Sequence, residues 1–219
     1  MVLIAGFEEA GRGPVIGPLI MTGLAIEESK LDKLKALGVK DSKLLTHKQR
    51  CSLYDKILKL TDKHIILKIQ PEEIDNAVDG DNALNLNWLE AEKTIYMINT
   101  LNPDKAFIDC PSTNTTKYRN YLFERIKNKE TQLIVQHKAD VTYPIVSAAS
   151  IVAKCVREEE VAKIEEVVGQ SIGSGYPSNP VCQAFLKANH DKYPEFIRKS
   201  WSSYKRIIND KKQKSLGEF

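Results

Sequence analysis

The chain has 219 residues, with 32 Lys and Arg against 29 Asp and Glu, a formal net charge of +3 and a pI near 8.5. That length buries a substantial core, as one large domain with room for a small appendage, and so mild a positive balance leaves any footprint on nucleic acid to local clusters. No stretch reaches the length of a membrane span, Glu8 and Glu9 break the opening apolar run too soon for a secretory signal, and Cys51, Cys110, Cys155 and Cys182 form no CxxC pair, which excludes a zinc site or disulfide frame and predicts reduced structural thiols in a cytoplasmic protein.

Residues 2–7 and 18–27 are apolar enough for two strands, with Pro14, Gly17 and Pro18 punctuating the connection. Leu31 to Leu37 reads as a short helix and Thr46 to Leu60 as a longer one capped by Thr46. His64 to Ile69 is a further strand, and a helix starts at Pro71 and reaches Val78. Leu84, Trp88, Ala91, Ile95, Ile98 and Leu101 recur at helical spacing, which makes Trp88 a core residue and not a platform for bases. Strand 105–109, helix 115–127, strand 131–137 and helix 144–168 follow, with Pro144 suited to a first helical turn. Past Gly169, a linker-like stretch with Gly173, Gly175, Pro177 and Pro180 leads into short helices through Asn209. Strands alternating with helices after an initial strand cluster predict an α/β fold, a mixed sheet flanked by helices.

Residues 2–14, VLIAGFEEAGRGP, run from an apolar strand into Glu8 and Glu9 and then into Gly11-Arg12-Gly13. Carboxylates at a strand end stand where a sheet edge opens to substrate, and glycines flanking Arg12 leave amides able to face an anion. Taken alone, two acids and a GxG describe a polar turn. Two further segments end similarly: Lys105-Ala106-Phe107-Ile108-Asp109, followed by the turn Cys110-Pro111-Ser112-Thr113-Asn114, and residues 132–140, which end in Asp140 before the long helix. Each acid singly suits a solvated turn or a helix cap. Three acidic strand ends converging on one rim make a hard-cation site of oxygen ligands. Two divalent ions roughly 4 Å apart on it would stabilise the attacking and leaving oxygens of a phosphodiester displacement.

GFEEAGRGPVIGPL, GVKDSK (38–43), FIDCPSTN (107–114), HKADVTYPIVSAASIVAK (137–154) and GSGYPS (173–178) together resemble type 2 ribonuclease H, especially its archaeal form, with the motifs in the family's order as far as about Arg206. The resemblance implies a ribonuclease-H-like catalytic domain over 1–172 and a small helical C-terminal domain over 173–212 that helps clamp the duplex; residues 213–219 follow as a tail similar to a clamp-binding peptide. It implies cleavage of the RNA strand of RNA/DNA hybrids and of single ribonucleotides embedded in duplex DNA, leaving 3′-hydroxyl and 5′-phosphate ends. Glu8, Glu9, Asp109 and Asp140 would be the catalytic ligands of two Mg2+ or Mn2+ ions. By the same resemblance, Gly11, Arg12, Gly13 and Tyr176 contact the 2′-hydroxyl, while Lys40, Ser42 and Lys43 line the substrate groove, Lys43 most directly on phosphate. His137 stays outside the catalytic set, since metal-activated water attacks without a histidine base. Helix packing explains Ser147 and Ser150 at least as well as substrate contact does.

The chain departs from the family at one catalytic position, with Glu8-Glu9 where the family has Asp-Glu. Glutamate keeps the charge but adds a methylene, and a displacement of about 1 Å in a catalytic constellation costs on the order of 100-fold in rate. Neighbouring side chains on a strand point to opposite faces, so Glu8 and Glu9 share a site only through a bend, a bulge or a main-chain contribution. Glu8, the altered position, is then the ligand the resemblance supports least. Two alternatives stand beside this reading: an impaired variant that binds hybrids without cutting them, and another metal-dependent nuclease of the same fold, such as a resolvase or integrase, against which the GRG segment and Tyr176 argue.

Arg198, Lys199, Lys205, Arg206, Lys211, Lys212 and Lys214 cluster near the C-terminus with Trp201 and Tyr204 interleaved. Such a run is ordinarily a solvated helix face, and only the resemblance makes it a nucleic-acid surface. The final residues are similar to the peptide by which replication and repair proteins dock on the sliding clamp: Gln213, the aliphatic Leu216 three positions on, and the aromatic Phe219 three further. Leu216 and Phe219 would fill one apolar pocket through a helical turn, with Gln213 at its rim. The competing reading is a charged tail folded back on the domain. The chain is expected to be a monomer without a membrane partner.

Overall fold

The computed structural model describes residues 1–39, 45–80 and 84–216, so Lys40, Ser42, Lys43 and Phe219 lie outside the described residues. A five-stranded sheet of order β3-β2-β1-β4-β5 is formed by β1 (Leu3–Ala10), β2 (Leu19–Glu27), β3 (Lys63–Ile69), β4 (Lys105–Asp109) and β5 (Gln132–Gln136). Its helices are α1 (Leu31–Ala36), α2 (His47–Leu60), α3 (Pro71–Asp79), α4 (Leu86–Leu101), α5 (Thr115–Arg125), α6 (Ala139–Thr142), α7 (Pro144–Val168), α8 (Pro180–Asn189) and α9 (Ser202–Leu216). β1 pairs antiparallel with β2 and parallel with β4, and β4 pairs parallel with β5. The mixture follows from the connections: eight residues suffice to fold β2 back on β1, whereas the parallel step from β4 to β5 is bridged by α5. This is the ribonuclease-H-like mixed sheet flanked by helices that the sequence predicts.

By packing, the chain divides into two compact units. One gathers Met1–Ala10, Ile20–Lys68 and Asn87–Val156; the other gathers Gly11–Leu19, Ile69–Leu86 and Arg157–Phe219. In the first unit, Ile4, Leu24 and Ile26 of the sheet pack on Leu53 and Ile57 of α2 and on Ile145, Val146, Ala149 and Val152 of α7. The contact is close because Gly6 sits where a Cβ would lie 2.6 Å from the Ile145 carbonyl. Thr46 caps α2 as expected, in a capping box closed by the Gln49 side chain. The second unit has its own core, with Ile16, Ile164, Phe185, Leu186 and Ile197 among its members, and Ile16 pairs with Ile197 in an isolated bridge.

Two expectations are corrected. Leu84 precedes α4 and is exposed, and Trp88 is half-buried at the surface of the first unit, 4.4 Å from the Tyr121 ring with the Lys117 ammonium 5.5 Å above it. The helical spacing is real from Leu89 onward, but Leu86, Asn87 and Trp88 at the start of α4 are only partly covered. The four cysteines are free, Cys51 exposed and Cys110, Cys155 and Cys182 buried. Among the described residues no helix is long and apolar enough to cross a membrane.

Candidate active site

β1 and β4 run side by side with Phe7 opposite Ile108. The next residues, Glu8 and Asp109, therefore stand at one level where the parallel pairing stops, Asp109 closing β4 while β1 runs on to Ala10, toward the carboxyl ends at which open α/β sheets bind ligands. Asp140 arrives by a different route from the strand end expected of it. β5 stops at Gln136, Lys138 turns the chain through a left-handed conformation (φ 59°, ψ 36°), and Asp140 stands on the single turn of α6. A lysine at positive φ gives no hydrophobic signal, so the sequence pattern could not show this reversal. The turn also aims amides at Asp109: Lys138 N donates to its Oδ1 at 3.0 Å, and the amides of Ala139 and Asp140 add to this. One carboxylate oxygen from each of Glu8, Asp109 and Asp140 lies within 4.8 Å of the others.

Crowding and burial change the acidity of these groups. Glu8 is held well above the usual carboxylate range, first by burial, then by the charge of Glu9 and, behind it, those of Asp109 and Asp140. Asp109 is raised by burial and next by Asp140, even though the amides bonded to it pull the other way. Carboxylates that grip protons this tightly, in an oxygen-only set, have the chemistry of a hard divalent cation site, where the cation replaces the protons.

Glu9 is not one of these three. Its charge is still felt at the cluster, where it is the second cause of the raised Glu8, and behind burial it contributes to the raised Cys110 and Tyr118. Glu8, the altered residue, thus stands in the group of three with Asp109 and Asp140. Two buried residues that the sequence did not assign to the site adjoin Glu8. Ser150 of α7 donates its hydroxyl to Glu8 Oε1 at 3.4 Å, and Thr22 pairs with Glu8 across β1 and β2. The helical spacing of Ser147, Ser150 and Lys154 was the available signal for the first; nothing in the sequence marks Thr22.

Within the second unit the glycine-rich segment and Tyr176 come together. Gly11 has a φ of +85°, and a Cβ there would lie 2.7 Å from Arg157 Cδ. A Cβ on Gly13 would lie 3.1 Å from the Tyr176 ring. Arg157 stacks 5.4 Å from that ring and donates to the Ser174 carbonyl at 2.7 Å. Lys199, Lys205 and Arg206 are exposed as the basic run predicts, but Arg198 is wholly buried. A string of cations in sequence conceals that one of them points inward.

A ribonuclease-H-like sheet with three carboxylates gathered at its parallel strand ends defines a metal-dependent nuclease. The family model for ribonuclease HII matches residues 5–204. The chain is 40% identical to ribonuclease HII from Thermococcus sibiricus, over 98% of this chain and 95% of that protein. It is similar to the crystal structure of ribonuclease H2 from Pyrococcus horikoshii, with a TM-score of 0.87 and 37% identity over 95% of this chain and 98% of that one. A chain in the structure of the PCNA:RNase HII complex from Archaeoglobus fulgidus matches with a TM-score of 0.82 and 34% identity, over 93% and 96% of the two chains. The chain belongs to the ribonuclease HII family, and is a metal-dependent endoribonuclease acting on RNA/DNA hybrids.

Proposed function

We propose that this ribonuclease cuts at single ribonucleotides embedded in duplex DNA as well as along RNA/DNA hybrids, leaving 3′-hydroxyl and 5′-phosphate ends. The observation that carries the proposal is the convergence of Glu8, Asp109 and Asp140 within 4.8 Å. These three hold the divalent ions, Mg2+ or Mn2+, with Glu9 as the fourth acid of the set. The metal supplies an activated water and charge neutralisation at the scissile phosphate. The protein's own part is placement: the amides of residues 138–140 fix Asp109, Ser150 orients Glu8, and the turn at Lys138 brings Asp140 into reach.

The backbone of Gly11-Arg12-Gly13, continuous in the chain with the strand that carries Glu8, and the Tyr176 hydroxyl read the 2′-hydroxyl, the group that separates ribose from deoxyribose. Lys40, Ser42 and Lys43 contact phosphates, and residues 173–212 grip the duplex. The Archaeoglobus relative is seen in a complex with PCNA, and Gln213, Leu216 and Phe219 follow one another at intervals of three in the sequence. We therefore assign Gln213, Leu216 and Phe219 to the sliding clamp.

Incubation with a duplex containing one ribonucleotide, in magnesium and separately in manganese, tests the substrate assignment. Incision on the 5′ side of the ribonucleotide or within a hybrid, with a 3′-hydroxyl product, supports it. An intact ribonucleotide duplex beside a cleaved all-DNA junction would assign the fold to a different nuclease activity.

A further inference from the structure

A fully buried cation of the second unit is bonded to the backbone of its glycine-rich segment. Arg198 has 0% exposure. Its Nη2 donates to the Gly11 carbonyl at 2.7 Å, its Nη1 to the Arg12 carbonyl at 3.0 Å and its Nε to the Gly17 carbonyl at 3.0 Å. Trp201, 4.9 Å from the guanidinium, adds a bond from Nε1 to the Gly13 carbonyl at 3.1 Å. The carbonyls of three consecutive residues are thus all held by one short segment. That segment is itself fixed, because Asp75 of α3 accepts the amides of Lys199 and Ser200 at 2.8 and 2.9 Å, and Arg198 N donates to the Val15 carbonyl.

Two physical points follow. In a trans peptide the carbonyl and the next amide point in opposite directions. Holding the carbonyls of Gly11 and Arg12 inward therefore turns the amides of Arg12 and Gly13 outward, as donors with set directions. Burying a guanidinium is costly unless its donors are satisfied, and its planar fork meets several carbonyls at once where an ammonium meets them one at a time. Glycines at 11 and 13 leave the segment without side-chain restraints of its own, so its conformation depends on this brace.

We propose that Arg198, assisted by Trp201, is a positioning residue for ribose recognition: it aims the Arg12 and Gly13 amides at the sugar. This rests on the reading of Gly11-Arg12-Gly13 as the 2′-hydroxyl sensor. The test compares affinity for a duplex containing one ribonucleotide with affinity for the same duplex in all-DNA form, in calcium, for the full-length protein and for Arg198→Lys, Trp201→Phe and Gly13→Ala. Arg198→Lys keeps the charge but loses the fork, and is expected to lower the ribose-to-deoxyribose affinity ratio roughly tenfold or more. Trp201→Phe should lower it by a smaller factor, and calcium affinity should not change in either. An arginine with a merely structural role would lower the melting temperature and weaken both duplexes equally; an unchanged ratio in folded Arg198→Lys overturns the proposal. Where Arg198→Lys does not fold, an unchanged ratio in Trp201→Phe overturns it instead. Gly13→Ala separates the two layers: if it leaves the ratio intact, the sensor reading fails and the brace with it. If it collapses the ratio while the other two variants keep it, the brace alone fails.

Discussion

Ser150 on α7 reaches Glu8 on β1 with a hydrogen bond of 3.4 Å between hydroxyl and carboxylate. That is longer than an ordinary O–H···O bond, so it orients the glutamate weakly and does not clamp it. Glu8 is the position at which the resemblance leads one to expect the shorter aspartate. Its carboxylate nevertheless stands within the cluster with Asp109 and Asp140.

Glu8→Asp should raise kcat, by a factor of up to about 100 if the extra methylene displaces the ligand by 1 Å. KM should move little, because the defect lies in transition-state positioning. Steady-state kinetics on a one-ribonucleotide duplex check this, and an equal or lower kcat would show a site adapted to glutamate through Ser150.

Gly6→Ala should destabilise the first unit by about 1–3 kcal/mol, since the added methyl meets the Ile145 carbonyl at 2.6 Å, and backbone yields less readily than a side chain. β1 must then move away from α7 and carry Glu8 with it, so activity should fall even at temperatures where the variant stays folded. Thermal melting and activity measured together check this; a variant with unaltered stability would mean that the two elements separate without strain.

How stability varies with pH follows from the cluster. Glu8 and Asp109 are raised in the folded protein, so folding favours their protonated forms. Their contribution is full below the ordinary carboxylate range near pH 4 and is lost as pH rises through the raised values. Metal-free protein should therefore lose melting temperature relative to Asp109→Asn as pH rises above the ordinary carboxylate range. Magnesium should stabilise it most at the higher pH, where it displaces no protons. Calorimetric melts with and without magnesium check both signs; a magnesium effect independent of pH would place the ion elsewhere.

Much of this was legible in the sequence. A strand ending in Asp109, a cap at Thr46 and a proline-led helix at Pro144 are local signals that the structure keeps, whereas β1 runs on through Glu8 and Glu9 to Ala10. What escaped depends on long-range geometry. The left-handed Lys138, which moves Asp140 from a strand end to a helical turn, is a single backbone state that composition does not encode. Arg198 reads as one of seven clustered cations until the carbonyls around it are seen.

Deleting residues 213–219 should leave cleavage of a short duplex unchanged and abolish binding to the sliding clamp of the same organism. Calorimetric titration of the full-length and truncated proteins decides it. Undiminished clamp binding by the truncated chain would sink the docking assignment.

The most direct measurement is single-turnover cleavage of a one-ribonucleotide duplex by the unaltered protein, Asp109→Asn and Asp140→Asn, in magnesium, in calcium and in excess chelator. The unaltered protein should cut in magnesium and stop in calcium or chelator, because calcium's larger and more flexible shell misplaces the reacting oxygens. Both variants should lose most activity while circular dichroism shows them folded. Robust cleavage by either folded variant, or by the unaltered protein in chelator, would contradict a metal site built on Glu8, Asp109 and Asp140.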